Sequence, residues 1–134
     1  MIRDFDIKDY PTLREYLLSA GVKDDYMDIL NVTTKVLLHD DKVIGFTSYN
    51  QLNNLLNLYH FYVDPRYRTK DITFELTDKV VDVARDYGCE YILAHTTANS
   101  DEERFLHKYC DYNKLGLKEI DSYIEGTNLY LLEV

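Results

Sequence analysis

The sequence predicts an α/β domain of the mixed (α+β) kind, with an antiparallel N-terminal meander and a parallel central pair of strands in one sheet, flanked by about four helices. Three observations carry this expectation. Apolar runs with strand character recur between Lys35 and Val63, separated by polar turns. Leu76, Val80, Val83, Ala84 and Tyr87 then fall on one helical face, and Gly88 supplies a stop. A short apolar run, Tyr91 to Ala94, follows that helix. A strand reached through a helical crossover lies parallel to the strand before it.

Taken in order, Met1 to Phe5 is compatible with a short strand. Leu13, Tyr16, Leu17 and Ala20 recur at helical spacing behind Pro11, a good first-turn residue, and predict a helix over about 10–20 that Gly21 ends. A weaker helix is expected from Asp24 to about Asn31. Val36 to His39 and Val43 to Tyr49, joined by the charged turn Asp40-Asp41-Lys42, read as a hairpin. Asn50 to Asn54 turns the chain into Leu55 to Val63, which stops at Asp64-Pro65. After the crossover, Asp101 to about Tyr112 predicts a helix with Phe105, Leu106 and Tyr109 inward. Leu115-Gly116-Leu117 then turns into strand regions Leu117 to Tyr123 and Thr127 to Glu133.

At 134 residues and 46% hydrophobic, the chain suffices for one buried core and is short for two, so a single domain over 1–134 is expected. No apolar run approaches a membrane span, and Met1 to Lys8 carries charge where a signal peptide needs apolar residues, which points to the cytoplasm and away from membranes. A net charge of −9 opposes phosphate backbones, and the densest basic stretch, Arg66, Arg68 and Lys70, lies beside Asp64 and Asp71. Nucleic acid is therefore not an expected partner, whereas an amine or a basic protein is compatible with the charge. Cys89 and Cys110 lack metal-ligand spacing and read as buried thiols, so no metal is expected.

The run Tyr59-His60-Phe61-Tyr62-Val63-Asp64-Pro65-Arg66-Tyr67-Arg68, the helix ending at Tyr87-Gly88-Cys89 and the strand Tyr91-Ile92-Leu93 resemble the GCN5-related N-acetyltransferase (GNAT) superfamily. Lys114-Leu115-Gly116-Leu117-Lys118 is similar to the closing turn of that family. The resemblance is strongest over Leu58 to Ile92 and extends, as element order, along nearly the whole chain. It implies a GNAT-like mixed sheet and an acetyl-CoA-dependent N-acetyltransferase acting on a small-molecule or protein amine, and is compatible with a homodimer through the C-terminal strands.

In that family, backbone N–H groups at the head of the long helix hold the pyrophosphate of acetyl-CoA, helped by the helix dipole. The resemblance assigns this role to Arg68, Thr69, Lys70, Asp71, Ile72 and Thr73. Arg68 matches the leading arginine, but Thr69, Asp71 and Thr73 stand where glycines are usual. Asp71 is expected at the N-cap of the helix, where its carboxylate competes for the same amides. At about 4 Å a carboxylate repels one phosphate charge by about 1 kcal/mol in water and about 4 kcal/mol at an effective dielectric near 20.

Acetyl transfer by direct attack of an amine needs a base, a donor to the thioester carbonyl and an acid for the departing thiolate. The resemblance places the carbonyl donor at the backbone N–H of Tyr62 or Val63. His60 is a candidate base, with a packed or surface histidine as the alternative, and His95 is a second candidate. Tyr112 stands at the family's distance before Gly116 and is the candidate acid, with Tyr109 as its alternative. A second function class stays open: a catalytically inactive GNAT-like interaction or regulatory module that no longer binds CoA.

Overall fold

The computed structural model of the chain describes residues 1–23, 29–122 and 124–134. In chain order they form β1 (Ile2–Asp4), α1 (Tyr10–Ser19), β2 (Thr33–His39), β3 (Lys42–Leu52), β4 (Leu55–Val63), α2 (Lys70–Asp86), β5 (Tyr91–Thr97), α3 (Asp101–Asn113), β6 (Leu117–Ile120) and β7 (Thr127–Glu133). Hydrogen-bonded strands run in the order β1-β2-β3-β4-β5-β7-β6. This is the mixed α/β architecture read from the sequence. The chain divides into two compact units, Met1–Asn50 with Tyr59–Asp78, and Gln51–Leu58 with Lys79–Val134.

In the first unit, β1 pairs antiparallel with β2 from Ile2↔Leu37 to Asp4↔Lys35, and β2 pairs with β3 from Thr33↔Tyr49 to His39↔Lys42. Asp40 and Asp41 close the hairpin with φ of 50° and 62°. Aspartate tolerates this left-handed geometry, which suits the twist of a two-residue hairpin turn. Neighbouring residues of β2 point to opposite faces, so Val36 joins Leu13, Leu17, Ile29 and Phe46 while Leu37 joins Ile44, Val63 and Leu76. α1 starts with Pro11 in its first turn and buries Leu13 and Leu17. Most of the helix expected over Asp24 to Asn31 lies outside the described residues. Ile29, which is described, is buried without being helical.

In the second unit, Leu55–Asn57 of β4 pairs parallel with Tyr91–Leu93 of β5, as the crossover argument requires. β7 pairs antiparallel with β5 from Thr127↔Thr97 to Glu133↔Tyr91, and with β6 from Leu129↔Ile120 to Leu132↔Leu117. α3 is capped by the Ser100 hydroxyl, which accepts from Glu103 N at 3.2 Å, and buries Leu106, Tyr109 and Cys110. Both cysteines are buried and reduced.

Val80, Val83 and Ala84 of α2 are buried in line with the helical pattern, but Tyr87 is 47% exposed, against its expected place on the same face. α2 ends at Asp86, and Gly88 turns the chain away with a φ of 73°. Tyr87 is the first residue after the helix: its N–H still donates to Val83 O at 3.0 Å, but it stands beside the Gly88 turn and not within a helical turn.

Candidate functional site

The segment after β4 is built around a buried carboxylate. Asp64, 3% exposed, caps the short 3-10 turn Pro65–Tyr67. Its Oδ1 accepts from Arg66 N at 3.0 Å and Arg66 Nε at 3.1 Å, and its Oδ2 accepts from Arg66 Nη2 at 2.7 Å and the Tyr16 phenol at 3.2 Å. Charge-assisted, bidentate geometry of this kind is among the stronger polar contacts. The Arg66 guanidinium foremost, with its backbone N–H and the Tyr16 phenol, holds the Asp64 carboxyl well below the usual carboxylate range despite burial. Burial and then the Asp64 charge push the Tyr16 phenol up to about 12.

Tyr16 also donates to Val43 O at 2.9 Å, and its ring lies 5.0 Å from that of Tyr62 with 31° between planes. The Tyr62 hydroxyl is 3.3 Å from Ser19 Oγ. The Arg68 guanidinium sits over the Tyr62 ring, 5.2 Å from its centroid, and Arg68 Nε donates to Val63 O at 2.7 Å. The two terminal nitrogens of Arg68 make no hydrogen bond among the described residues.

At the head of α2 the sequence expectation needs correction. The helix begins at Lys70, and Thr69, not Asp71, caps it: Thr69 Oγ1 accepts from Ile72 N at 3.3 Å. The turn Pro65–Tyr67 ends the preceding segment, and Thr69 N donates to Tyr67 O at 2.8 Å, so the helix starts two residues earlier than a cap at Asp71 allows. Asp71 is exposed in the first turn, and its backbone N–H makes no hydrogen bond among the described residues. The Thr73 hydroxyl donates back to Thr69 O at 2.7 Å and Lys70 O at 3.1 Å. Lys70 Nζ lies 5.3 Å from the centre of the Phe74 ring, and Ile72 packs against Leu37, Ile44, Val63 and Leu76.

The sequence model of the Acetyltransferase (GNAT) family matches residues 2–112. The chain belongs to the GNAT acetyltransferase family. Solved structures similar to this GNAT chain include a diaminobutyrate acetyltransferase from Paenibacillus lautus in complex with L-2,4-diaminobutyric acid and coenzyme A, at 15% identity and a TM-score of 0.80, covering 99% of this chain and 93% of that one. A PaiA N-acetyltransferase from Thermoplasma acidophilum in complex with coenzyme A is similar at 17% identity and a TM-score of 0.77, covering 100% and 98%. A ribosomal-protein-alanine N-acetyltransferase from Brucella melitensis is similar at 17% identity and a TM-score of 0.73, again covering 100% and 98%. None of the curated protein sequences matches.

The other candidate residues of this GNAT chain lie on β4, β5 and α3. His60, on β4, is half-buried with its ring 6.1 Å from that of the fully buried Phe46. His95 is exposed on β5. Tyr112 is 67% exposed on α3, whereas Tyr109, its alternative, is buried at 2%.

Two arrangements were missed in the sequence. Helical spacing marks Tyr16 only as one residue of the α1 pattern. In the second unit, Glu103 Oε2 accepts from Asn128 Nδ2, from the Tyr130 phenol at 3.0 Å and from Thr96 Oγ1 at 3.4 Å, while Oε1 accepts from Asn99 N at 3.2 Å. Ser100 three residues before Glu103 is a capping signature that marks this glutamate. An open polar recess nearby is lined by Glu119, Ile120, Asp121, Ser122, Thr127 and Asn128. No described helix is long and apolar enough to cross a membrane.

Proposed function

We propose that this GNAT protein is an acetyl-CoA-dependent N-acetyltransferase that modifies an amine of a small molecule or a protein in the cytoplasm. The observation that carries the reading is the head of α2. A restrained guanidinium whose two terminal nitrogens make no hydrogen bond among the described residues precedes a 17-residue helix whose Asp71 N–H also has no partner among them. Such donors, with the positive end of a helix dipole, suit a pyrophosphate.

Acetyl-CoA, when bound, supplies the acyl group as a thioester. Arg68, Thr69, Lys70, Asp71, Ile72 and Thr73 are the proposed holders of its pyrophosphate, and the backbone N–H of Tyr62 or Val63 is the proposed donor to the carbonyl. His60 is the proposed acceptor of the amine proton, and Tyr112 the proposed donor to the leaving thiolate. The acidic recess lined by Glu119 and Asp121, together with the net charge of −9, supports a cationic amine as acceptor.

One observation favours the second reading, an interaction module without CoA. Thr69 Oγ1 already occupies Ile72 N–H, and the Asp71 carboxylate adds negative charge to the same turn. Calorimetry and thermal melting with acetyl-CoA separate the two. Saturable heat and a raised melting temperature at micromolar ligand are expected, because a ligand at 100 times its Kd stabilises by about 2.7 kcal/mol. Silence at millimolar acetyl-CoA leaves the module.

A further inference from the structure

We propose that the Tyr62 side chain, backed by Tyr16, is a positioning residue that aims the Arg68 guanidinium at the pyrophosphate of the acyl donor. The inference rests on the acetyl-CoA reading above and adds a role for a side chain that the reading uses only through its backbone.

Two arginines follow β4, and the structure divides their work. Arg66 saturates the buried Asp64 carboxylate through three of its nitrogens, and the Tyr16 phenol adds a fourth donor. Arg68 is therefore not drawn into neutralising Asp64, and it makes no ion pair with Asp71 among the described residues. It is nonetheless restrained. Nε is fixed on Val63 O at 2.7 Å, and the guanidinium rests over the Tyr62 ring at 5.2 Å.

Tyr62 is itself held on two sides, by the Tyr16 ring at 5.0 Å and by Ser19 Oγ at 3.3 Å from its hydroxyl. Tyr16 in turn is anchored on Val43 O and Asp64. The chain of contacts therefore runs from α1 through two rings to one guanidinium.

An unrestrained arginine samples many rotamers and loses that freedom when it grips an anion. Holding the planar group through Nε and one face leaves its two terminal nitrogens as a fork, the geometry that takes phosphate oxygens in pairs. Ordering the fork before the ligand arrives raises affinity without adding a contact.

A double-mutant cycle on CoA binding, measured by calorimetry on the full chain, tests this. Tyr62→Met keeps a long apolar side chain but removes the ring, and is expected to weaken CoA about three- to thirtyfold. Tyr62→Phe, which keeps the ring, stays within about twofold of wild type because the cation–π contact needs only the ring face. In an Arg68→Met background, Tyr62→Met has no further effect, because the residue it acts through is gone. A purely structural role gives the same loss in both backgrounds and overturns the proposal, as does undiminished affinity in Tyr62→Met or Arg68→Met.

Should Tyr62→Met fail to fold by thermal melting, the exposed Arg68→Lys decides. Lysine keeps the charge but loses the planar fork and the Nε anchor. Weakened CoA binding supports the proposal, and full affinity overturns it. Wild-type protein that binds no CoA removes the acetyl-CoA reading, and this inference with it. Wild-type binding without the expected cycle removes the inference alone.

Discussion

The phenol of Tyr16 on α1 donates to the carboxylate of Asp64, 3.2 Å away, although 48 residues of chain separate them. With Arg66, it keeps a negative charge stable in a site that is 3% exposed. The sign of the resulting pH dependence is fixed. A carboxyl whose folded pKa is depressed contributes stability that is fully present above its unfolded value, about 3.9, and is lost as pH falls toward the folded value. Denaturant unfolding of the wild type is expected to weaken steadily below about pH 4, and Asp64→Asn, less stable at neutral pH, is expected to show a shallower decline over that acid range.

At the alkaline end the sign reverses. Tyr16 and Tyr130 are both pushed up to about 12, by burial first and then by Asp64 and Glu103 respectively. Their contribution is complete below about pH 10 and is lost as pH climbs toward the raised value. Both are expected to ionise late in an ultraviolet titration. The double variant Tyr16→Phe/Tyr130→Phe is expected to lower the amplitude of the late phase by two phenols. Tyr16→Phe alone is expected to cost about 1–3 kcal/mol in denaturant unfolding at neutral pH, since it deprives a buried carboxylate and a carbonyl of a donor.

Gly45 of β3 marks where two backbones approach closely. A Cβ there falls 2.6 Å from Tyr62 O and 3.3 Å from Val63 Cα, and backbone cannot swing aside as a side-chain tip can. Gly45→Ala is expected to destabilise by about 1–3 kcal/mol, the usual range for overpacking. It is also expected to weaken CoA binding, because the strand it displaces carries Tyr62 and Val63. Thermal melting and calorimetry on one preparation check both effects.

The head of α2 yields two opposed changes. Asp71→Asn removes a charge from the first turn and is expected to tighten CoA binding several-fold, consistent with about 1 kcal/mol of repulsion at 4 Å in water. Thr69→Gly releases Ile72 N–H for a ligand while costing only a few tenths of a kcal/mol as a cap. It is likewise expected to tighten CoA binding at slightly lower thermal stability. Unchanged or weaker affinity in both variants counts against this turn as the pyrophosphate holder.

The sheet was legible wherever one local rule decided an outcome. β4 ends at Val63 because Asp64-Pro65 stops the strand, and β5 pairs parallel with β4 because a helix carries the chain across. The head of α2 was not, since threonine and aspartate are both good caps and the choice between Thr69 and Asp71 depends on how the turn Pro65–Tyr67 ends. Tyr16 was visible only as part of a helical pattern, because periodicity reports a face and carries no information about a carboxylate far along the chain. Tyr87 was misplaced for the related reason that a period extrapolates past the helix that generates it.

Cys89 and Cys110 both lie in the second unit, and both are buried. Burial pushes both thiols up, Cys110 to about 11, so neither offers much of the thiolate that reacts with alkylating reagents. Chemical modification must then wait for that part of the molecule to open. The rate at which a thiol reagent consumes the two sulfurs becomes an internal clock for local opening of the second unit, readable without any engineered probe.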